Sequence, residues 1–249
     1  MSENTATPKA RHGFWRKLGV LNPEQLAPLE AAAASPKKKI WFHAVSVGEF
    51  NAIRPLIDML AEQADVEVLV STTTLTSQNL ARKVYPERCV FYFPYDLVPA
   101  VKRMLGLLRP DLVVITETEL WPNFIDHTTR VLQKPLILIN GRISKRSYAG
   151  YKNIKAIIQP ALRQVTHFYT QSQADADRLR TLGSLPPDKL TVAGNLKFEE
   201  DPDKEPFDTL SRQQMRNLDT LRREKEREQT KEAREESRQA DDPAGAPLP

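Results

Sequence analysis

The sequence predicts an α/β fold built on a parallel sheet and followed by a charged C-terminal extension. Three observations predict it. Seven apolar runs of four to six residues recur between positions 40 and 193, and they are continuous rather than alternating, as strands buried on both faces are. Amphipathic stretches of helix length separate them, giving repeated strand–helix–strand units. Beyond position 200 the apolar pattern stops: Leu221–Arg238 holds 13 charged residues in 18, with Leu221 its one strongly apolar side chain, so no stripe is left to dock on a core.

Residues 1–39 are polar and Ala-rich, punctuated by Pro23, Pro28 and Pro36, and read as an N-terminal extension. The strand runs are Ile40–Ala44, Val66–Ser71, Cys89–Phe93, Leu112–Thr116, Leu136–Asn140, His167–Thr170 and Leu190–Ala193. Helices are expected near 49–62, 76–85, 97–108, 121–132, 147–164 and 173–182. Thr76 or Ser77 marks one helix start, and Asp96 ahead of Pro99 another. Together these describe one Rossmann-like domain over 40–200. In such open sheets ligands sit beyond the carboxyl ends of the strands, so chemistry is sought in the loops that follow each run. The tail, 201–249, reads as partly helical to disordered. Its (i, i+3) pairs such as Glu224–Arg227 favour a helix, and like-charge neighbours such as Arg223–Arg227 oppose one.

Charge divides the same way. The chain has 36 Lys/Arg and 32 Asp/Glu; residues 1–200 keep 26 and 19 of them, a net of +7. A basic body suits an anionic partner, whether nucleic acid, a phosphorylated small molecule or a phospholipid surface. The single Cys89 excludes an intrachain disulfide and a cysteine metal cluster, and the four histidines lack ligand spacing, so no metal is expected. No apolar run approaches the ~18 residues that span a bilayer, and the N-terminus lacks a signal-peptide core. The expected location is cytoplasmic, with contact at a membrane surface left open.

Four loops carry candidate chemistry. Ser46-Val47-Gly48-Glu49 follows the first strand. Its glycine is expected to let the chain turn tightly, and Glu49 then falls by a helix N-terminus that favours its ionised form. Glu49 either accepts a proton there or simply decorates a first turn. Thr116-Glu117-Thr118-Glu119-Leu120-Trp121-Pro122-Asn123 leaves the fourth strand with two carboxylates, which are functional or merely solvated. Asn140-Gly141-Arg142-Ile143-Ser144-Lys145-Arg146-Ser147 places three cations beyond the fifth strand, a phosphate site or a solvated face. Gly194-Asn195-Leu196-Lys197-Phe198 follows the last strand, where Lys197 neutralises an anion or pairs with a structural acid.

These motifs converge on a family. His43-Ala44-Val45-Ser46-Val47-Gly48-Glu49, Pro94-Tyr95-Asp96-Leu97, Glu117-Thr118-Glu119-Leu120-Trp121-Pro122-Asn123, Arg146-Ser147 with Gly150-Tyr151, and Gly194-Asn195-Leu196-Lys197-Phe198 resemble, in order and spacing, the N-terminal domain of bacterial Kdo (3-deoxy-D-manno-octulosonic acid) transferases. The resemblance implies the N-terminal half of a GT-B type, inverting glycosyltransferase of lipopolysaccharide biosynthesis. That half holds the lipid A precursor, and a facing domain holds CMP-Kdo. Carried over by motif, Glu49 is the general base, and Glu117 and Lys197 stabilise the transition state. Ser46 and Gly48 join Arg142, Lys145 and Arg146 in acceptor binding, the three cations being assigned from charge. No cofactor is implied, and contact with the inner membrane is.

The sequence also departs from that family. Thr74-Leu75-Thr76-Ser77 stands where the pattern has Thr-Pro-Thr-Gly, and Asn140-Gly141-Arg142-Ile143-Ser144 where it has Asn-Ala-Arg-Leu-Ser. The hydrophobic N-terminal anchor is not recognisable, although Arg11–Lys17 could touch a surface, and the CMP-binding domain is not recognisable either: the expectation is a transferase that is truncated or works with a separately encoded donor half, and that is inactive without one. The rival to an enzyme is a lone, non-catalytic acceptor-side domain. A nucleotide- or nucleic-acid-binding module is disfavoured, because no Gly-x-Gly-x-x-Gly follows a strand and no aromatic stacking signature is present.

Overall fold

The computed structural model describes residues 17–18, 21 and 23–196. Along the chain run α1 (Pro23–Ala34), β1 (Lys38–Ala44), α2 (Val47–Ala61), β2 (Val66–Thr72), α3 (Leu75–Val84), β3 (Cys89–Tyr92), α4 (Val98–Leu108) and β4 (Leu112–Thr116). Then come α5 (Pro122–Asp126), which runs into a π turn at His127–Val131, β5 (Leu136–Gly141), α6 (Lys145–Asn153), α7 (Lys155–Gln164), β6 (His167–Thr170), α8 (Gln173–Gly183) and β7 (Leu190–Val192). Every strand falls on one of the apolar runs. All neighbouring pairs are parallel, in the order β3-β2-β1-β4-β5-β6-β7, so the α/β parallel sheet expected from the sequence is the fold.

That order positions the site. The chain winds from β1 out to β3, then returns to lay β4 against the other side of β1 and continues outward to β7. The connections leaving β1 and β4 therefore diverge, and their carboxyl ends bound a crevice, the topological switch point where open sheets bind ligands.

Both faces of the sheet are covered from β1 to β6, which is why those strands are continuously apolar, whereas the edge strand β7 is partly exposed. Trp41, Leu69, Phe91, Val113, Ile115, Leu136 and Leu138 face one core with Leu29 of α1, Met104 and Leu105 of α4, and Phe124 of α5. Trp41 is fully buried, donates its indole N–H to Ser71 Oγ (2.7 Å), and meets Phe91 and Phe124 edge to face at 5.0 and 5.1 Å, the geometry ring quadrupoles favour. Alternation sends Phe42 and Val70 to the opposite face, where α2 packs against β1 and β2.

Four features differ from the linear reading. The stretch read as an extension contributes α1, opened by Pro23 at a position that needs no N–H donor, with Leu29 and Ala32 buried. The single helix expected over 147–164 is two helices, interrupted at Ile154. The first half buries nothing and the second buries Ile158, Ala161 and Leu162. The start of α3 is capped by Thr74, which accepts the Ser77 N–H, rather than by Thr76 or Ser77. Asp96 caps no helix of its own: it accepts the N–H groups of Asn123 (3.0 Å) and Phe124 (2.8 Å) at the start of α5. The tail assigned to 201–249 lies outside the described residues.

Candidate functional site

Glu49 is held at the end of β1 by its own helix start. Ser46 Oγ accepts the Glu49 N–H (3.2 Å), and the same hydroxyl donates to Glu49 Oε1 (2.8 Å). The Val45 N–H donates to Oε2 (2.8 Å). This is a capping box shifted back by one residue: the third helical residue satisfies an orphan donor while the cap side chain satisfies its N–H. Glu49 as a whole residue is 6% exposed. Burial pushes its pKa above the ordinary value, the Val45 and Ser46 bonds hold it back, and the nearby Glu117 carboxylate raises it further. The result is a fixed, partly desolvated carboxylate that is a stronger base than a surface one.

Gly48 is not needed for a tight turn, contrary to the expectation. Its backbone is helical, and a Cβ built there would meet only Ser46 Oγ, at 3.9 Å. The Ser46 hydroxyl, assigned to acceptor binding, is engaged by Glu49.

Beyond β4 the chain turns sharply. Glu117 has φ +58°, a left-handed conformation that costs a non-glycine residue about 1 kcal/mol, and its N–H donates to Ile139 O (2.9 Å), extending the ladder past the strand. The turn brings Glu117 and Glu119 within electrostatic reach of Glu49, so three carboxylates converge at the switch point. The sequence singled out Glu119 only as one of two carboxylates leaving the fourth strand and gave it no role of its own. Burial, then the charges of Glu49 and Glu117, raise its pKa to about 7. Its only signal in the sequence was its place two residues past Glu117; what distinguishes it is the closeness of two loops 70 positions apart.

A pH test follows from the sign of that shift. Between the ordinary value of 4.5 and about 7 the folded protein holds the Glu119 proton while an unfolded chain releases it. Stability from this group is therefore complete below 4.5, falls as the pH rises towards 7, and stays low above. Glu119→Gln should be more stable than the parent at pH 8 by about 1 kcal/mol, allowing for screening by water, and equal to it near pH 4. Urea unfolding across that range checks this; a variant less stable at pH 8 would contradict it.

The rest of the same motif is a clasp. Besides the two bonds to Asp96 noted above, Asn123 Nδ2 donates to Asp96 O (2.7 Å), and the Trp121 ring lies 5.6 Å from Phe93. Pro94-Tyr95-Asp96 and Trp121-Pro122-Asn123 thus lock two loops together and fix where the β4 loop emerges.

The basic loop is held by its backbone, with its side chains left outside. Thr118 Oγ1 accepts the Arg142 N–H (3.1 Å) and donates to Arg142 O (2.5 Å). Asp175 accepts the Ile143 N–H (2.9 Å), and Arg178 donates to Ile143 O (2.8 Å). Ser144 caps α6 by accepting the Ser147 N–H (3.0 Å). Arg142, Lys145 and Arg146 are exposed, and none of the three makes an ion pair among the described residues. Through Thr118 this loop is tied directly to the carboxylate loop.

Lys197 lies outside the described residues. The chain reaches Leu196, whose N–H donates to Oδ1 of the buried Asn140 (3.1 Å) at the end of β5. Among the described residues no group of three or more His, Cys, Asp or Glu side chains is disposed to hold a metal, and no helix is long and apolar enough to cross a membrane.

Residues 10–200 match the family model of 3-deoxy-D-manno-octulosonic-acid transferase (kdotransferase). A bifunctional glycosyltransferase/methyltransferase of Fusobacterium nucleatum is 36% identical over 162 residues, covering 64% of this chain and 25% of that protein. A 3-deoxy-D-manno-octulosonic acid transferase of Haemophilus influenzae is 32% identical over 170 residues, covering 68% of this chain and 39% of that one. The chain thus spans well under half the length of these curated relatives. Among solved structures, a UDP-GlcNAc 2-epimerase from Neisseria meningitidis bound to UDP-GlcNAc aligns at TM-score 0.48 and 15% identity, over 64% of this chain and 47% of that one.

Proposed function

The chain belongs to the 3-deoxy-D-manno-octulosonic-acid transferase family through the domain matched over residues 10–200, and from that premise we propose that this domain binds a lipid A precursor and supplies the base for transfer of Kdo from CMP-Kdo. The observation that carries the proposal is the convergence of Glu49 and Glu117 at the switch point, on loops that leave adjacent parallel strands.

In this reading a hydroxyl of the acceptor sugar sits against Glu49. The carboxylate takes its proton as the oxygen attacks the anomeric carbon of Kdo, the bond from that carbon to the CMP phosphate oxygen breaks, and CMP departs as the anion. Attack opposite the leaving group inverts the centre. Glu117 places negative charge near the carbon that becomes electron-poor, and Lys197 answers the Kdo carboxylate and the departing phosphate. Arg142, Lys145 and Arg146 meet acceptor phosphates, with Ser46 and Gly48 lining the approach to Glu49. The donor is held by a facing domain in a GT-B arrangement. No metal or cofactor takes part, no nucleic acid is a partner, and the protein works at the cytoplasmic face of the inner membrane as a peripheral protein.

One observation favours a second reading, a non-catalytic acceptor-binding domain. The bonds from Ser46 and Val45 give Glu49 a complete structural role in starting α2 without any chemistry. The two readings separate in a fusion that replaces the matched segment of the Haemophilus influenzae relative with residues 1–200 of this chain. Transfer of Kdo from CMP-Kdo to a lipid A precursor is the expected result. A folded fusion that binds the precursor and transfers nothing would favour the second reading.

A further inference from the structure

Lys17 presents an ammonium group at the carboxyl edge of the sheet, on the far side of the switch point from the basic loop. Its carbonyl accepts the Tyr95 N–H (2.8 Å), which ties the residue to the loop after β3. Its Nζ lies 5.4 Å from the Tyr95 ring centroid and 5.8 Å from that of Tyr92. The residue is half-buried, and among the described residues it has no carboxylate within ion-pair distance. Burial lowers its pKa. Keeping a partly desolvated cation without a counter-ion costs stability, and ring faces offset only part of that cost.

The neighbour of the group on β1 is His43. That imidazole is buried and stacked on Phe93, ring centroids 3.8 Å apart. Burial, chiefly, lowers its pKa to about 3, and the Lys17 charge adds to the fall. Lys17 therefore lies within electrostatic reach of β1. β3 lies two strands from β1 on one side, and β5, which leads into the basic loop, lies two strands away on the other. At ~4.8 Å per strand each is roughly 10 Å off. Along the carboxyl edge of the sheet, the strands that carry the carboxylate loops thus lie between the strand beside Lys17 and the strand that leads into the basic loop.

We propose that Lys17, framed by Tyr92 and Tyr95, binds a phosphate group of the ligand that occupies the switch point, at a site separate from Arg142, Lys145 and Arg146. That an anion binds here stands on the geometry alone; that the anion is a phosphate rests on the acceptor reading above.

The full 249-residue chain carries the test, in a background where Arg142, Lys145 and Arg146 are all glutamine so that the basic loop does not mask the site. Inorganic phosphate and acetate are titrated by calorimetry. Phosphatidylcholine vesicles with and without phosphatidic acid are tested by co-sedimentation. Phosphate should bind, Lys17→Gln should weaken it about tenfold, the range of one charge-assisted hydrogen bond, and Lys17→Arg should largely retain it, with the thermal midpoint of Lys17→Gln no lower than that of the background. Lys17-dependent binding to phosphatidic acid vesicles assigns the phosphate to a lipid headgroup. Lys17-dependent binding of inorganic phosphate alone assigns it to a soluble or sugar phosphate; both support the site. Acetate binding as well as phosphate would remove the phosphate assignment and, with it, the link to the acceptor. Phosphate binding that is absent, or unchanged by Lys17→Gln, would overturn the anion site itself. None of these readouts involves transfer, so the site can fail while the catalytic reading stands, and the reverse.

Discussion

Glu49→Gln is expected to lower turnover in the fusion with the Haemophilus influenzae relative by about 10²–10⁴-fold, the usual contribution of a general base, with acceptor affinity nearly unchanged. The structure makes this variant a clean one. Glutamine is accepted at the third residue of a capping box, and its carbonyl can still take the Val45 N–H, so the start of α2 survives while the proton acceptor is lost. Glu49→Ala removes both roles and should also cost about 1 kcal/mol of stability. Single-turnover transfer and thermal unfolding, measured on both variants, separate chemistry from folding. A fully active Glu49→Gln would remove the base from the account and leave Glu49 as a helix cap only. Glu117→Gln should likewise act on turnover rather than affinity, because charge that develops in the transition state is its proposed partner.

The strands were legible because burial on both faces writes itself into composition: each apolar run became a strand, although the last forms the partly exposed edge strand β7. Helix starts were less legible, since a cap is a local choice among several hydroxyls. Thr74, Thr76 and Ser77 all qualify by type, and only the hydrogen bond from Ser77 to Thr74 identifies the cap. Asp96 shows the harder limit. Its position ahead of Pro99 suits a local cap, yet its oxygens serve a helix 27 residues on, a tertiary choice with no linear trace. The same limit hid Glu119. Its motif marks it only as one of two carboxylates, and its raised pKa arises from burial and then from Glu49 and Glu117, on loops that meet only when β1 and β4 pair. Proline misled at α1, where Pro23 begins a helix rather than preventing one.

Reversing the basic loop, with Arg142, Lys145 and Arg146 all changed to Glu, should weaken binding of the phosphorylated acceptor by on the order of 10²-fold at low salt. Each exposed charge contact is worth about 0.2–1 kcal/mol, and reversal replaces three attractions by three repulsions. The fold should not suffer, because Thr118, Asp175 and Arg178 hold the loop by its backbone and none of the three cations is part of that grip. Lys145 and Arg146 occupy the first turn of α6, where the helix dipole disfavours cations and favours acids by about 0.3–1 kcal/mol each. The reversed helix should therefore be, if anything, more stable. Cations kept where the local helix would prefer acids are explained by a ligand that needs them. The salt response supplies the check: screening at 1 M shortens the Debye length to about 3 Å, so the parent should lose affinity steeply with salt and the variant should not. Equal binding by parent and variant at low salt would make the loop a solvated face and remove it from the acceptor site.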